Sequence, residues 1–223
     1  MVLRFFLLAI AFLFSCTSVE RDNCLDSGGI NYMVGCKLSS SSVETLGCSN
    51  VGSYSCPLSG YKTQKIATET WMWENLDCDV EGGKCYDDNL ANCERYGRLY
   101  DWCTAMALCS NGWHLPSNDE WQRLVDFVGG DKLAGLHLKS DEGWNGSGNG
   151  DNIYGFAALP SGVGYSDGGF ANIGNNGYWW SSSEPDASNA YYRYMDYIYE
   201  PKSVHYSYGT KDRLYSVRCI KDD

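Results

Sequence analysis

Eleven cysteines constrain this chain more than any other feature of its sequence. They are spread from Cys16 to Cys219, no two of them form a Cys-x-x-Cys pair, and the chain has three histidines. A structural zinc site needs closely spaced cysteine or histidine ligands, so this spacing argues against zinc. Disulfides persist in oxidising compartments. The cysteine count therefore predicts an exported protein that is cross-linked by disulfides.

The amino terminus also indicates export. In the opening sequence MVLRFFLLAIAFLFSC, Arg4 precedes an apolar run over 5–14 that is too short to span a bilayer as a mature helix. Residues 1–15 are therefore predicted to be a signal peptide. The Leu-Phe-Ser-Cys sequence that ends at Cys16 resembles a bacterial lipobox. It predicts lipidation of Cys16 and an extracytoplasmic, lipid-anchored protein at the outer membrane or cell surface. The alternative is an ordinary signal peptide, with Cys16 in a disulfide.

Ten cysteines remain if Cys16 is lipidated (11 − 1 = 10), which is enough for five disulfides. Residues 16–60 carry four of them, together with a serine run and little hydrophobic periodicity. We expect this segment to be a small disulfide module or a tether, since it is too short to build a core. Its cysteines, whose pairing the sequence leaves open, are Cys24, Cys36, Cys48 and Cys56. Residues 61–223 form the main domain.

Hydrophobic patterns from residue 61 onward predict an α+β domain with an antiparallel sheet, because helical patterns come early and strand patterns late. The predicted strands cover 62–66, 69–73, 97–100, 156–159, 178–182, 190–198, 203–208 and 214–220. Predicted helices cover 101–106 and 115–128, a short alternating segment lies at 136–138, and a Gly/Asn loop lies at 143–150.

The stretch GWHLPSNDEW raises the question of whether His114 is catalytic, because acidic residues follow it. Ser117 and Glu120 have the spacing of a capping box, in which each side chain accepts a hydrogen bond from the other residue's backbone N–H. Asp119 and Glu120 also suit the positive end of the helix dipole. These roles explain the acidic residues without catalysis. We expect His114 to fix the helix start through a hydrogen bond to neighbouring backbone.

Six stretches between residues 61 and 223 carry a family resemblance. They are TWMWENLDCDVEGGKCYDDNLANCERYGRLYDW, CSNGWHLPSNDEW, LKSDEGWNGSGNGDNIYGFAALPSG, GYWWSSSE, AYYRYM and YSVRCIKD. In this order they resemble the Fibrobacter succinogenes major paralogous (FISUMP) domain family. That family occurs in exported bacterial proteins, many of them lipoproteins, and its biochemical role is undefined. The resemblance thus implies a surface domain without naming a reaction.

The same resemblance implies three disulfides. The family pattern makes Cys85–Cys93 a local bridge and Cys109–Cys219 a long one that ties the helical region to the last strand. Cys78 and Cys103 occupy positions that are usually aliphatic or alanine in the family, which implies a Cys78–Cys103 bridge. Another departure is Trp73, which stands where the family usually has a small residue.

A more distant resemblance is to the formylglycine-generating-enzyme superfamily, a variant of the C-type-lectin fold. A segment like LPTEAEWE corresponds to 115–122, and a terminal strand to 216–220. It implies a C-type-lectin-like (sulfatase-modifying-factor-like) domain with an antiparallel sheet and two helices. The oxidase activity is not implied, because it needs two copper-binding cysteines before the last strand and 191–208 contains none.

Two short motifs could hold a ligand through oxygen atoms. The Gly/Asn loop is not an EF-hand, because Phe156 occupies the twelfth position, where a glutamate is required. A looser calcium site at Asn149, Asp151 and Asn152 is the one candidate cofactor site, and a loop built on Asx turns is the alternative. Glu184 and Asp186 flank a proline, as in the sugar-binding motif of C-type lectins, and an ordinary surface turn is the alternative reading.

Aromatic residues on the predicted strands suggest a sugar-stacking surface. Tyr192 and Tyr194 share one face by strand alternation. Trp179 and Trp180 lie on opposite faces, so we expect one of them to be exposed. These four rings, together with Glu184 and Asp186, are our candidate ligand-binding residues.

Charge and motifs limit the function. The net charge of −11 argues against nucleic acid and anionic polysaccharide as partners. The chain lacks G-x-S-x-G, a P-loop and a paired-histidine metal motif. We expect a non-catalytic binding or adhesion module, with polysaccharide as a candidate ligand. A structural envelope protein that binds other proteins is one alternative, and a glycoside-acting enzyme with two converging carboxylates is another.

Overall fold

The structure is a computed structural model that describes Cys48, Tyr54 and residues 56–223. The predicted signal peptide, the lipidation site Cys16, and Cys24 and Cys36 lie outside the described residues.

The described residues form short strands and four short α-helices, in an α+β arrangement. The strands are β1 (Thr63–Ile66), β2 (Glu69–Met72), β3 (Gly83–Lys84), β4 (Leu99–Tyr100), β5 (Trp113–His114), β6 (Val163–Gly164), β7 (Phe170–Ala171), β8 (Asn176–Trp180), β9 (Asn189–Asp196), β10 (His205–Thr210) and β11 (Ile220–Lys221). The helices are α1 (Leu90–Tyr96), α2 (Trp102–Leu108), α3 (Asn118–Phe127) and α4 (Asp131–Leu138). Two 3₁₀ turns lie at Leu58–Gly60 and Tyr86–Asp88.

All strand pairs between these elements are antiparallel, as predicted. One sheet has the order β1-β2-β11-β5, and a second has the order β10-β9-β8. The pairs β3-β4 and β6-β7 form two small ribbons. The first sheet places the last strand between the first hairpin and β5, so both ends of the domain meet in one sheet.

Side-chain caps explain where the central helices begin. The carboxylate of Asp101 accepts a hydrogen bond from the backbone N–H of Thr104 at 2.9 Å and starts α2. Both bonds of the predicted capping box between Ser117 and Glu120 are present at the start of α3, so that prediction is confirmed. The helix ends before Gly129, whose φ of 120° does not continue a helix.

Four sequence predictions of secondary structure are wrong. The domain has four α-helices rather than two. The segment predicted as alternating at 136–138 is the end of α4. Residues 156–159 form no strand, and only a single bridge joins Ala158 to Lys139. The predicted strand over 214–220 is reduced to β11 and isolated bridges from three residues, because its partners lie in different sheets. These residues are Leu214, Tyr215 and Ser216.

Two buried clusters form the core, and each packs against one face of β8. Trp180 belongs to the cluster that contains Trp102 and Tyr215. Trp179 belongs to the cluster that contains Trp71 and Trp121. Burying large aromatic side chains is a major source of stability, at about 1.5–3 kcal/mol for a side chain of this class. The tryptophans therefore serve mainly as core.

Four disulfides join the described cysteines. Cys85–Cys93 and Cys109–Cys219 form as the family resemblance implied. The implied Cys78–Cys103 bridge is wrong, because Cys103 bonds to Cys48 and Cys78 bonds to Cys56. The two cysteines that replace the family's usual residues thus bond to Cys48 and Cys56. Cys48 and Cys56 are paired across the predicted boundary at residue 60 rather than with each other.

Candidate functional site

The tryptophans predicted as ligand-binding residues are both inaccessible. Trp179 and Trp180 are 0% exposed, so the expectation that one of them is exposed is wrong. They do lie on opposite faces of β8, but both faces are covered by core. The indole N–H of Trp179 donates to Asn75 Oδ1 at 2.9 Å, and that of Trp180 donates to the carbonyl of Tyr100 at 2.8 Å. Their polar atoms are thus satisfied inside the protein.

The predicted tyrosine face is assembled by the three-stranded sheet. Tyr194 of β9 lies opposite Tyr178 of β8 and His205 of β10. Tyr192, two residues earlier, lies on the same face, as alternation predicted. We call these four residues the tyrosine platform: Tyr178, Tyr192, Tyr194 and His205. All four side chains are partly exposed.

Ring geometry makes the platform a continuous aromatic surface. The Tyr178 and Tyr194 rings are stacked with centroids 6.0 Å apart, and the Tyr194 and His205 rings are stacked at 4.9 Å. The buried Tyr215 supports Tyr178 at 5.3 Å and Tyr192 at 4.7 Å. Since neighbouring rings restrict each other, the platform needs little ordering when a ligand binds.

The hydroxyls of Tyr178 and Tyr194 are neutral hydrogen-bonding groups at physiological pH. Burial raises the pKa of Tyr178 and of Tyr194 above the ordinary value of 10.0. The side chain of Asn172 donates to the Tyr178 hydroxyl at 3.3 Å. A neutral phenol both donates and accepts, so the platform can bond the hydroxyls of an uncharged ligand.

The exposed turn with Glu184 and Asp186 has internal partners for its carboxylates. Glu184 pairs with Lys211 at 2.5 Å. Asp186 accepts hydrogen bonds from the backbone N–H groups of Ser188 and Asn189, at 2.8 and 3.0 Å. Such an Asx arrangement stabilises a turn. The geometry is that of a surface turn.

The oxygen atoms of the predicted calcium loop also have partners in the protein. Asn149 and Asn152 each accept a hydrogen bond from a backbone N–H, at 3.0 and 2.7 Å. The carboxylate of Asp151 lies 3.0 Å from Nδ1 of His137. These contacts fix the loop. Within the described part of the chain, no three His, Cys, Asp or Glu side chains come together as a metal-binding group.

His114 lies between two carboxylates rather than against backbone, which corrects the expectation for its partner. Its Nε2 is 2.9 Å from Glu120 Oε1, and its Nδ1 is 2.6 Å from Asp222 Oδ1. The hydrogen bond to Glu120 raises the pKa of His114, and burial opposes that shift only in part. His114 thus links the start of α3 to the end of the chain.

A second aromatic surface was missed by sequence reasoning. A cleft of about 630 Å³ lies between β1, the residue after β2, the end of α3 and the loop at 152–155. Seven of the eight tryptophans are at most 9% exposed, whereas Trp73 in this cleft is 40% exposed. We call it the aromatic cleft; its ring side chains are Trp73, Phe127 and Tyr154. The departure of Trp73 from the family pattern was the available signal.

A second concave surface is an open groove of about 720 Å³ that is rich in carboxylates. Its acidic lining residues are Glu81, Asp88, Asp101, Asp167 and Asp212. Hydrogen bonds from Thr210 and other neighbours outweigh burial and lower the pKa of Asp212, so this carboxylate is ionised. Asp101 is occupied in capping α2, since its second oxygen accepts from the Thr104 hydroxyl at 2.8 Å.

These features define a class of protein: a disulfide-linked α+β domain that carries partly exposed rings on one face of a sheet and in a separate cleft. The chain belongs to the Fibrobacter succinogenes major domain family, whose model matches residues 65–221. No curated protein and no solved structure matches the chain. No helix in the described residues has the length and apolar character needed to cross a bilayer.

Proposed function

We propose that the domain is a non-catalytic binding module that holds a polysaccharide on the tyrosine platform. The observation that carries the proposal is the continuous row of partly exposed, mutually stacked rings from Tyr178 through Tyr194 to His205. The C–H groups of a sugar ring pack on aromatic rings, and sugar hydroxyls pair with neutral phenols. A row of such groups along a sheet suits an extended chain of sugar units better than a small compact ligand, which needs a pocket.

The acidic groove gives less support to the glycosidase alternative. A glycosidase needs one carboxylic acid whose pKa is raised so that it can protonate the leaving group. Asp212 has the opposite shift, and Asp101 is used in capping a helix. These roles favour a binding function over hydrolysis.

Retention on insoluble polysaccharides tests the proposal. We expect the full chain to be retained on at least one of cellulose, xylan or mannan, with and without calcium. Tyr194→Ala should weaken retention by roughly tenfold, since aromatic contacts contribute about 0.5–1.5 kcal/mol each and tenfold corresponds to 1.4 kcal/mol. Tyr208→Ala is the matched control, because Tyr208 is exposed on β10 with the opposite strand parity from His205. Equal retention of both variants, or none for the parent chain, would contradict the proposal.

A second candidate is the binding of another envelope protein, and the free edge of the second sheet favours it. Among the described strands, β10 pairs only with β9, and Tyr206 and Tyr208 on it are 62% and 58% exposed. An unpaired edge can receive a strand from a partner. Crosslinking in intact cells tests this, since a crosslink from Tyr206 to a specific protein is expected only if the edge is occupied.

We further propose that the protein is lipid-anchored through Cys16 on the outer surface and that its fold is C-type-lectin-like. The lipobox-like sequence and the four disulfides support export. The pairing of β11 with β2, which brings the two ends of the domain together, is consistent with that fold. Radiolabelled palmitate incorporation that is lost in Cys16→Ala tests the anchor, and an experimental structure compared with lectin domains tests the fold.

A further inference from the structure

We propose that the aromatic cleft is a second binding site, separate from the tyrosine platform, that takes a short stretch of one or two sugar units. Its volume of about 630 Å³ falls within the roughly 300–1,000 Å³ that is usual for small-molecule sites. Three of the large apolar side chains that the described residues expose lie in it, with exposures of 40–61%. They are Trp73, Phe127 and Ile153. A gathering of exposed apolar side chains on a soluble domain marks a binding surface.

The rings of the cleft are held in place before a ligand arrives. The backbone N–H of Trp73 donates to the carbonyl of Lys62 at 2.9 Å, and the Lys62 ammonium lies 5.4 Å from the Trp73 ring centroid. Tyr154 packs edge-on against Phe127 at 5.8 Å and against His137 at 6.0 Å. Rings that are already ordered lose little entropy on binding.

Two amide side chains supply polar groups beside the rings. Asn152 uses its Oδ1 to accept from the backbone, which leaves its Nδ2 without a protein partner among the described residues. Gln64 donates from Nε2 to the carbonyl of Lys65 at 3.3 Å. Its Oε1 also has no protein partner among the described residues. The cleft therefore offers one free donor and one free acceptor next to aromatic faces.

This combination selects a sugar over other ligand classes. A sugar ring has apolar C–H faces for Trp73 and hydroxyls that can accept from Asn152 and donate to Gln64. Among the residues that the structure describes, no carboxylate lines the cleft, and the one charged lining residue is Lys65. An apolar peptide or lipid tail would leave both amide groups unpaired, which costs free energy. The cleft and the platform use different strands, so the two sites can be tested independently.

Trp73 supplies its own reporter for the test. Since the other seven tryptophans are at most 9% exposed, iodide should quench mainly the emission of Trp73. We would titrate the full chain with cello-, xylo- and manno-oligosaccharides of two to six units and record tryptophan emission. We expect a blue shift and reduced iodide quenching with at least one series. Trp73→Phe should remove the iodide-quenchable signal, which verifies the assignment of the reporter.

Variants whose oligosaccharide binding is measured by calorimetry separate this inference from the proposed function. Asn152→Asp keeps the structural acceptor but removes the free donor, and we expect it to weaken oligosaccharide binding by roughly tenfold, as should Trp73→Ala. Tyr194→Ala should leave this binding unchanged while it weakens retention on insoluble polysaccharide. An unchanged Trp73 signal with all three series, or equal loss in Tyr194→Ala, would overturn the inference. Lack of retention of the parent chain on insoluble polysaccharide, with oligosaccharide binding present, would contradict the proposed function of the platform and leave the inference about the cleft intact.

Discussion

His114 Nε2 lies 2.9 Å from Glu120 Oε1, and this contact joins the start of α3 to the first sheet. The same carboxylate accepts from the backbone N–H and the hydroxyl of Ser117, both at 2.8 Å. On the other side of the ring, Asp222 follows β11, which pairs with the strand that carries His114. The residue that looked catalytic in the sequence is a link between three parts of the fold.

The link should make stability depend on pH. Burial opposes ionisation of Glu120, but the hydrogen bonds from His114 and Ser117 outweigh it and lower the pKa to about 2. The Glu120 contribution is therefore present above its ordinary pKa of 4.5 and lost as pH falls through about 2. The His114 pKa is raised, so its contribution is present below 6.5 and lost as pH rises through the folded-state pKa. Both stabilising contributions are fully present between pH 4.5 and pH 6.5.

Replacing His114 tests this dependence of stability on pH. His114→Gln should lower the free energy of unfolding by about 1.5–3 kcal/mol at about pH 5.5, the range for hydrogen bonds to charged groups, and by less at about pH 8.5. Urea unfolding at the two pH values measures the difference, and polysaccharide retention at pH 7 serves as the control. Equal losses at both pH values would contradict the linkage. Lost retention with unchanged unfolding would contradict a purely structural role.

Local signals in the sequence were sufficient for some features of the fold. The capping box depends on Ser117 and Glu120, which are three residues apart, and the first hairpin depends on two adjacent strand patterns. Helices α1 and α2 are each seven residues long, and only α2, with its cap at Asp101, was predicted. Alternation placed Tyr192 and Tyr194 on one face, because strand geometry alone determines that relationship.

Features that depend on distant parts of the chain could not be predicted. Alternation separated Trp179 from Trp180, but it cannot reveal that a core covers each face. Cys78 and Cys103 looked like partners because both depart from the family pattern. Their actual partners come from the segment before residue 60, whose path the sequence pattern does not indicate. The exposure of Trp73 likewise results from how three separate elements meet.

The disulfide pairing can be checked directly. Nonreducing digestion must place each of the paired cysteines in its own peptide. Combined cleavage after aromatic, leucine and glutamate residues does so, with cuts after Tyr54, Trp73, Glu81, Tyr86, Tyr100 and Leu108. Mass spectrometry should then find one peptide pair joined by Cys48–Cys103 and another joined by Cys56–Cys78. The local Cys85–Cys93 pair is the internal control. A peptide pair joined through Cys78 and Cys103 would show that the described pairing is wrong.

The two bridges implied by the family should differ in their contribution to stability. Cys109 and Cys219 are 110 residues apart, whereas Cys85 and Cys93 are 8 apart. The chain-entropy model gives roughly 5 kcal/mol for the long loop and roughly 2.5 kcal/mol for the short one. Replacing each pair by alanines and measuring urea unfolding should reproduce this order. A larger loss for the short loop would mean that unfolded-state entropy does not dominate.

Arg218 is a buried cation that four oxygen atoms hold in place. It is 0% exposed, and Nε donates to Asn75 Oδ1 at 2.7 Å. The guanidinium also donates to the carbonyls of Met72, Phe156 and Ala157, at 3.1, 2.5 and 3.1 Å. It thus satisfies backbone groups from the first hairpin and from the irregular segment after the Gly/Asn loop.

Removing this guanidinium should be costly. Arg218→Met leaves several buried acceptors unpaired, and each such group costs about 1–3 kcal/mol, so we expect a loss of at least about 3 kcal/mol. Arg218→Lys keeps the charge but cannot reach all four acceptors, and it should lose less. Lys221→Met is the control, because Lys221 is exposed in β11 and should change stability by about 0.5 kcal/mol or less. Thermal unfolding of the three variants measures the order.

Gly135 is in the middle of α4, where an alanine would ordinarily stabilise a helix by about 1 kcal/mol. Here a Cβ atom would clash with the carbonyl oxygen of Ser203 and lie 2.8 Å from the carbonyl carbon of Lys202. Both are backbone atoms that cannot rotate away, and the loop is fixed by a hydrogen bond from the Leu136 N–H to the Lys202 carbonyl at 3.1 Å.

Overpacking costs about 1–3 kcal/mol and should outweigh the gain in helix propensity. Gly135→Ala is therefore expected to lower the free energy of unfolding, by about 1 kcal/mol or more after the propensity gain is subtracted. Lys132→Ala in the same helix is the control, because Lys132 is exposed and its replacement should change stability by about 0.5 kcal/mol or less. A rise in melting temperature for Gly135→Ala would show that the 202–203 loop can move away from α4, because only then does helix propensity decide the sign.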